Sequence, residues 1–160
     1  MYIIDSSSLI GLNRFHADVF ISLWSCLEKS VTTNQLIAPK KVFEDLQHMD
    51  DEIAKWATIN SKMFKDENDK TFITALSDVI NRHQNWIDLD SEKNGSDPYV
   101  VALALLKRKE SKETLEPKEV IVITEESQDL ARLKIPSVCN GYNLRCLNLH
   151  QFFQEEGWKF

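Results

Sequence analysis

Five carboxylates stand where the pattern of the chain ends a strand or opens a helix: Asp5, Glu44, Asp97, Glu125 and Glu126. Asp5 closes the apolar run Tyr2-Ile3-Ile4 and is followed by Ser6, Ser7 and Ser8. Glu125 and Glu126 come just after a second apolar run, Asp97 precedes Pro98 at a helix start, and Glu44 lies in the first turns of a helix that opens after Pro39. Ligands of open α/β sheets bind beyond the carboxyl ends of the strands, so acids far apart in sequence converge on one rim. Two carboxylates about 4 Å apart repel by several kcal/mol at intermediate dielectric. A hard divalent cation, Mg²⁺ or Mn²⁺, removes that repulsion and favours oxygen ligands. Such an ion activates water and stabilises charge on a phosphoryl oxygen.

Taken singly, each acid has a plainer account. Asp97 suits the capping position of its helix, Glu44 suits a solvated helix face, and Glu125 and Glu126 suit a turn. Asp5 is harder to dismiss, because a carboxylate at the end of an apolar strand is costly to bury without a partner. Ser7 or Ser8 could supply a hydrogen bond to it.

The elements that would position these residues follow from hydrophobic periodicity. Residues 2–5, 35–38, 86–90, 120–124 and 144–149 are short apolar runs bounded by polar residues and read as buried strands. Phe15, Val19, Leu23 and Leu27 make one helical stripe; Phe72, Leu76, Val79, Ile80, His83 and Trp86 make another; Ile53, Trp56, Ala57 and Met63 make a weaker third. Pro39 predicts a helix over 40–48, Asp97-Pro98 a helix over 98–109 capped by Asp97, and a last helix is expected over about 150–156. Alternating strands and helices predict one α/β domain spanning 1–160. Its central, mainly parallel sheet has about five strands, flanked by helices, with 2–5 at the centre. Residues 50–85 are expected to hold two helices with no strand, and 110–119 an exposed loop.

Composition narrows the function classes. At 160 residues the length fits one domain. No apolar run approaches the roughly 20 residues that a membrane helix needs, and the opening residues lack the basic leader of a signal peptide, so a cytoplasmic protein is expected. Three cysteines without a C-x-x-C, and four scattered histidines, argue against a disulfide framework and against zinc. The net charge of −6 is unusual for a nucleic-acid binder, unless a bound cation offsets the acidic cluster.

At these same residues the chain resembles the PIN-domain nucleases, including the VapC-type toxins of toxin–antitoxin pairs. YIIDSSSLIGLNR resembles the first motif of that family and matches Asp5 and Ser7; IAPKKVFEDL resembles the second and matches Glu44; SDPYVVALAL resembles the third and matches Asp97; VIVITEESQDL is similar to the fourth and matches Thr124 and Glu126. The fourth acid is usually Asp in the family and is Glu here, with Glu125 adjacent, and the interval between Asp97 and Thr124 is long and charged. The C-terminal part is more similar to a poorly characterised PIN-like subgroup than to the common toxins. The resemblance implies a metal-dependent endoribonuclease that hydrolyses phosphodiester bonds with Mg²⁺ or Mn²⁺. It implies Asp5, Glu44, Asp97 and Glu126 as metal-binding and catalytic residues, Glu125 as an alternative ligand, and Ser7 and Thr124 as hydrogen-bonding support. RNA would be the substrate; an antitoxin protein and a second copy in a homodimer would be partners.

Lys40, Lys41 and Arg14 lie close to the expected rim and are candidates for RNA phosphate contacts. The run Lys107-Arg108-Lys109 lies roughly 15 Å or more from it along the helix and reads as compensation of the helix dipole. Two other classes remain. A phosphoryl-transfer or receiver module would use Asp88 or Asp90 as acceptor, but it lacks the paired acids after the first strand and a suitable lysine. A non-catalytic PIN-like binding protein would keep the fold without binding metal.

Overall fold

Tyr2, Ile3 and Ile4 are all buried, and so are Ile121, Val122 and Ile123, which lie beside them in parallel register. Strands apolar on both faces need cover on both faces, and the intervening helices supply it. In the computed structural model, which describes residues 1–49, 51–66, 68–86, 95–127 and 133–160, the order is β1 (Tyr2–Ile4), α1 (Ser6–Gly11), α2 (Ile21–Thr32), β2 (Leu36–Pro39), α3 (Lys40–Leu46), α4 (Glu52–Ile59), β3 (Phe64–Lys65), α5 (Lys70–Arg82), α6 (Asp97–Lys112), β4 (Ile121–Ile123), α7 (Ile135–Gly141), β5 (Arg145–Leu147) and α8 (Leu149–Glu155). The sheet is wholly parallel in the order β3-β2-β1-β4-β5, with β1 at its centre. This single α/β domain, five parallel strands flanked by eight helices among the described residues, is consistent with a PIN-like fold. Helix α6 packs on the sheet through Val100, Val101, Leu103 and Ala104, all buried, and α5 packs on α6 through Phe72 and Val79. Among the described residues no helix is long and apolar enough to cross a membrane.

The structure corrects the sequence reading in several places. Of the first expected helical stripe, Phe15 and Val19 lie before α2, and Val19 is exposed. The segment expected to hold only helices contains β3, which pairs with β2 through Ala38–Phe64 and Pro39–Lys65. Two half-buried residues are too short a run to announce a strand. Of the strand expected over 86–90, Trp86 instead ends a 3₁₀ turn (Gln84–Trp86), its N–H donating to the His83 carbonyl at 2.8 Å. The remainder, with Asp88 and Asp90, lies outside the described residues. Helix α6 starts one residue earlier than expected, with Ser96 as its cap and Asp97 inside its first turn, so Asp97 does not cap it. It also continues to Lys112, past the expected end, through strong helix formers and a Lys107–Glu110 pair at 2.7 Å.

Candidate active site

β1 ends at Ile4 and the next residue, Asp5, caps α1. The Asp5 Oδ1 accepts from the Ser8 N–H at 2.7 Å. Its Oδ2 accepts from the Ser7 and Thr124 hydroxyls, each at 2.7 Å. The two hydroxyls work in both directions. Ser7 Oγ accepts the Glu125 N–H at 3.1 Å, and Thr124 Oγ1 accepts the Glu126 N–H at 3.1 Å. One carboxylate therefore locks the turn after β1 to the turn after β4. Asp5 is 1% exposed. Burial raises its pKa, against which the bonds from Thr124, Ser7 and Ser8 favour the charged form.

The structure separates the two adjacent glutamates. Glu125 receives the Arg14 guanidinium at 2.8 Å and the Leu149 N–H at the start of α8 at 2.9 Å. It is held on the β5 side of the rim, and Arg14 is held with it. Glu126 turns the other way: it accepts the Ile135 N–H at the start of α7 at 2.9 Å and lies 3.7 Å from the Lys134 ammonium. Its charge acts on Asp97.

Asp97 differs from Asp5, Glu125 and Glu126. Half-buried in the first turn of α6, it makes no hydrogen bond or ion pair among the described residues. Burial raises its pKa to about 7; the charges of Glu126, Asp5 and Asp45 push in the same direction, and Lys134 opposes them. Ser6 and Ser96 hydroxyls approach to 3.3 Å and join the start of α1 to the residue before Asp97.

Asp5, Asp97 and Glu126 thus come together at the carboxyl edge of β1 and β4, as the sequence pattern requires, with Ser7 and Thr124 supporting Asp5. Glu44 stands apart. It is exposed and paired with Lys41 at 3.2 Å, and Asp45 is the α3 acid whose charge reaches Asp97. Helical geometry explains the exchange: Val42 and Leu46 form the buried face of α3, and at 3.6 residues per turn Glu44 points about 180° from the middle of that face, Asp45 only about 80°. That spacing was available in the sequence and identifies Asp45. Lys134 carried no comparable signal, because only the fold brings α7 to the rim. Lys40 is exposed at the start of α3. Arg108, expected to serve the dipole of its own helix, donates instead to the Tyr142 and Asn143 carbonyls beyond α7, at 2.7 and 3.2 Å.

The donor set fits a hard cation in chemistry: all of it is oxygen, and Asp97 is a carboxylate with no hydrogen-bond or ion-pair partner among the described residues, facing three others. As placed, no three acidic, histidine or cysteine side chains among the described residues are close enough to share one ion; Asp5 is turned to its hydroxyls and Glu126 to the Ile135 N–H. No curated protein and no solved structure gives a significant match to the chain. The model of one family does match, over residues 2–160, and the chain therefore belongs to the family described as Domain of unknown function (DUF4411).

Proposed function

We propose that this protein is a metal-dependent endoribonuclease whose site is the acidic rim of β1, β4, α3 and α6. The observation that carries the reading is Asp97, a half-buried carboxylate without a hydrogen-bond partner among the described residues, facing Asp5, Glu126 and Asp45. Unpaired buried charge is expensive unless another charge is to arrive. Asp5, Asp97, Glu126 and Asp45 would hold Mg²⁺ or Mn²⁺, with Asp45 in the role expected of Glu44. When bound, the ion supplies Lewis acidity and charge neutralisation at the phosphoryl group. The chain's own part is distinct. Ser7, Thr124 and the Ser8 N–H fix the direction of the Asp5 carboxylate. One carboxylate of the set orients the attacking water and takes its proton. Lys134 and Lys40 offer cations to the phosphates on either side of the acidic group.

RNA cleavage assayed with millimolar Mn²⁺ tests this. Wild type is expected to cut single-stranded RNA internally and to stop when the metal is chelated, and Asp5→Asn and Asp97→Asn are each expected to lose at least about a hundredfold in rate, the scale of losing an electrostatic contributor at a reacting centre. Wild-type rates in both folded variants would defeat the reading. Within it, the toxin role of a toxin–antitoxin pair is a narrower proposal, with the antitoxin and a second copy of the chain as partners in the cytoplasm. It requires a neighbouring open reading frame for a small partner that suppresses the cleavage.

A further inference from the structure

The opposite edge of the sheet carries a second concavity that the acidic rim does not involve. It is a cavity of about 550 Å³ beneath the N-terminal ends of β1, β2 and β4, closed on one side by the end of α6 and the segment that follows it. The volume is that of a small-molecule site. Its apolar wall includes Ile37, Val120 and Leu115. Val120 and Ile37 belong to the core, whereas Leu115 is fully exposed at the same cavity. Exposed leucines are common, but a fully exposed one lining an apolar hollow gains cover from anything that fills it.

The charges in the cavity are unevenly matched. Lys107 is paired with Glu110 at 2.7 Å. Lys65, half-buried, donates among the described residues to two neutral oxygens, the Asn34 side-chain oxygen at 2.7 Å and the Lys62 carbonyl at 3.1 Å. Its pKa is lowered by burial and then by the charge of Lys107, with no carboxylate acting against them. Asn34 sits in the left-handed region, φ 59°, and receives the ammonium there. The far wall is fixed: the Ser111 hydroxyl donates to the Lys118 carbonyl at 2.8 Å and accepts the Lys118 N–H at 2.6 Å, which pins the segment after α6 across the cavity. The hollow is mainly apolar; its charged lining is Lys65, Lys107 and Lys118 against Glu110 and Glu116, and the Lys65 ammonium has neutral hydrogen-bond partners alone among the described residues.

We propose that this cavity binds a small amphipathic anion, a carboxylate, sulfonate or phosphate on a compact apolar body, with Lys65 taking the anionic group and Ile37, Val120 and Leu115 the apolar one. The site is independent of the nuclease reading and stands whether or not the rim binds metal.

Two dyes test it: 8-anilinonaphthalene-1-sulfonate, which carries the anionic group, and N-phenyl-1-naphthylamine, which has a similar ring system and lacks it. The native protein at neutral pH is expected to bind one equivalent of the sulfonate dye saturably. Lys65→Met is expected to weaken that dye about tenfold, as for loss of a charge-assisted contact, and the neutral dye less than about threefold. Thr114→Trp, at an exposed lining position, narrows the opening and is expected to abolish binding of both. The proposal fails if the folded wild type shows no saturable binding, if Lys65→Met weakens both dyes equally or neither, or if Thr114→Trp retains full binding. If Lys65→Met does not fold, the Thr114→Trp result decides alone.

Discussion

The two halves of the acidic rim are built on opposite principles. On the β1–β4 half, Asp5 is closely bonded: Ser7 and Thr124 each donate to its carboxylate and accept a backbone N–H, and Glu125 beside them is matched by Arg14 and by the start of α8, while the buried Ser8 hydroxyl is left without a partner among the described residues. On the α3–α6 half, Asp97 meets Glu126, Asp5 and Asp45 and has only the charge of Lys134 in its favour. Folded proteins satisfy buried polar groups almost everywhere. What sets Asp97 apart is charge: a half-buried carboxylate among three other acids gains from a cation that relieves their repulsion. On the function proposed above, the bonded half would serve stability and the like-charged half the ligand.

The sharpest way to break this contrast is to reverse the signs. Asp5→Ala strands the Ser8 N–H and two hydroxyls in a buried place and removes a helix cap, so it is expected to destabilise the protein by about 3 kcal/mol or more in urea unfolding. Asp97→Asn removes an unpaired charge and is expected to stabilise the metal-free protein at pH 7.5, by about 1–2 kcal/mol once partial exposure is allowed for. Equal losses in the two variants would erase the distinction between the halves.

The pH dependence follows from the same group. The Asp97 pKa is about 7 in the folded protein and about 3.9 in an unfolded chain, so between these values the folded state binds the extra proton. Its contribution is full below about pH 4 and is lost as pH rises through 7. Metal-free wild type is therefore expected to lose stability from Asp97 across that window, and Asp97→Asn to show a flatter profile in the same denaturant series. A wild-type profile that matched the variant's would place the Asp97 pKa near its ordinary value.

The smallest expected effects separate the neighbours on α3. Asp45→Asn removes one of three like charges from Asp97 and is expected to lower the Asp97 pKa measurably in an NMR titration, with only a few tenths of a kcal/mol in stability. Glu44→Gln breaks an exposed pair with Lys41 and is expected to change stability by less than about 0.5 kcal/mol and to leave the titration of Asp97 in place. A larger response from Glu44 than from Asp45 would return Glu44 to the site.

Much of this was legible in the sequence, for physical reasons that differ from element to element. β1 and β4 announce themselves because central parallel strands are apolar on both faces, and Asp5 and the pair Glu125–Glu126 follow from where those strands stop. β3 was hidden because Phe64 and Lys65 make too short a run, and its place in the sheet is fixed by β2. Asp97 was read as a cap because Asp-Pro is a good helix start; the structure gives that role to Ser96 and leaves the carboxylate without a partner among the described residues. Glu44 matched the motif, whereas the rotation of α3, which Val42 and Leu46 already encode, turns Asp45 toward Asp97. Lys134 was beyond reach of any local pattern, since only tertiary packing brings its ammonium to Glu126.

The most direct test of the central claim is thermal unfolding at pH 7.5 with and without millimolar Mn²⁺, on wild type and on Asp97→Asn. An ion that binds only the folded state adds about 2.7 kcal/mol at a hundredfold excess over its Kd, which is several degrees in Tm for a domain of this size. Wild type is expected to rise by that amount from a lower metal-free Tm, and Asp97→Asn to start higher and respond little. Equal shifts in both proteins, or none in wild type, would contradict the claim that the like-charged half of the rim is a cation site.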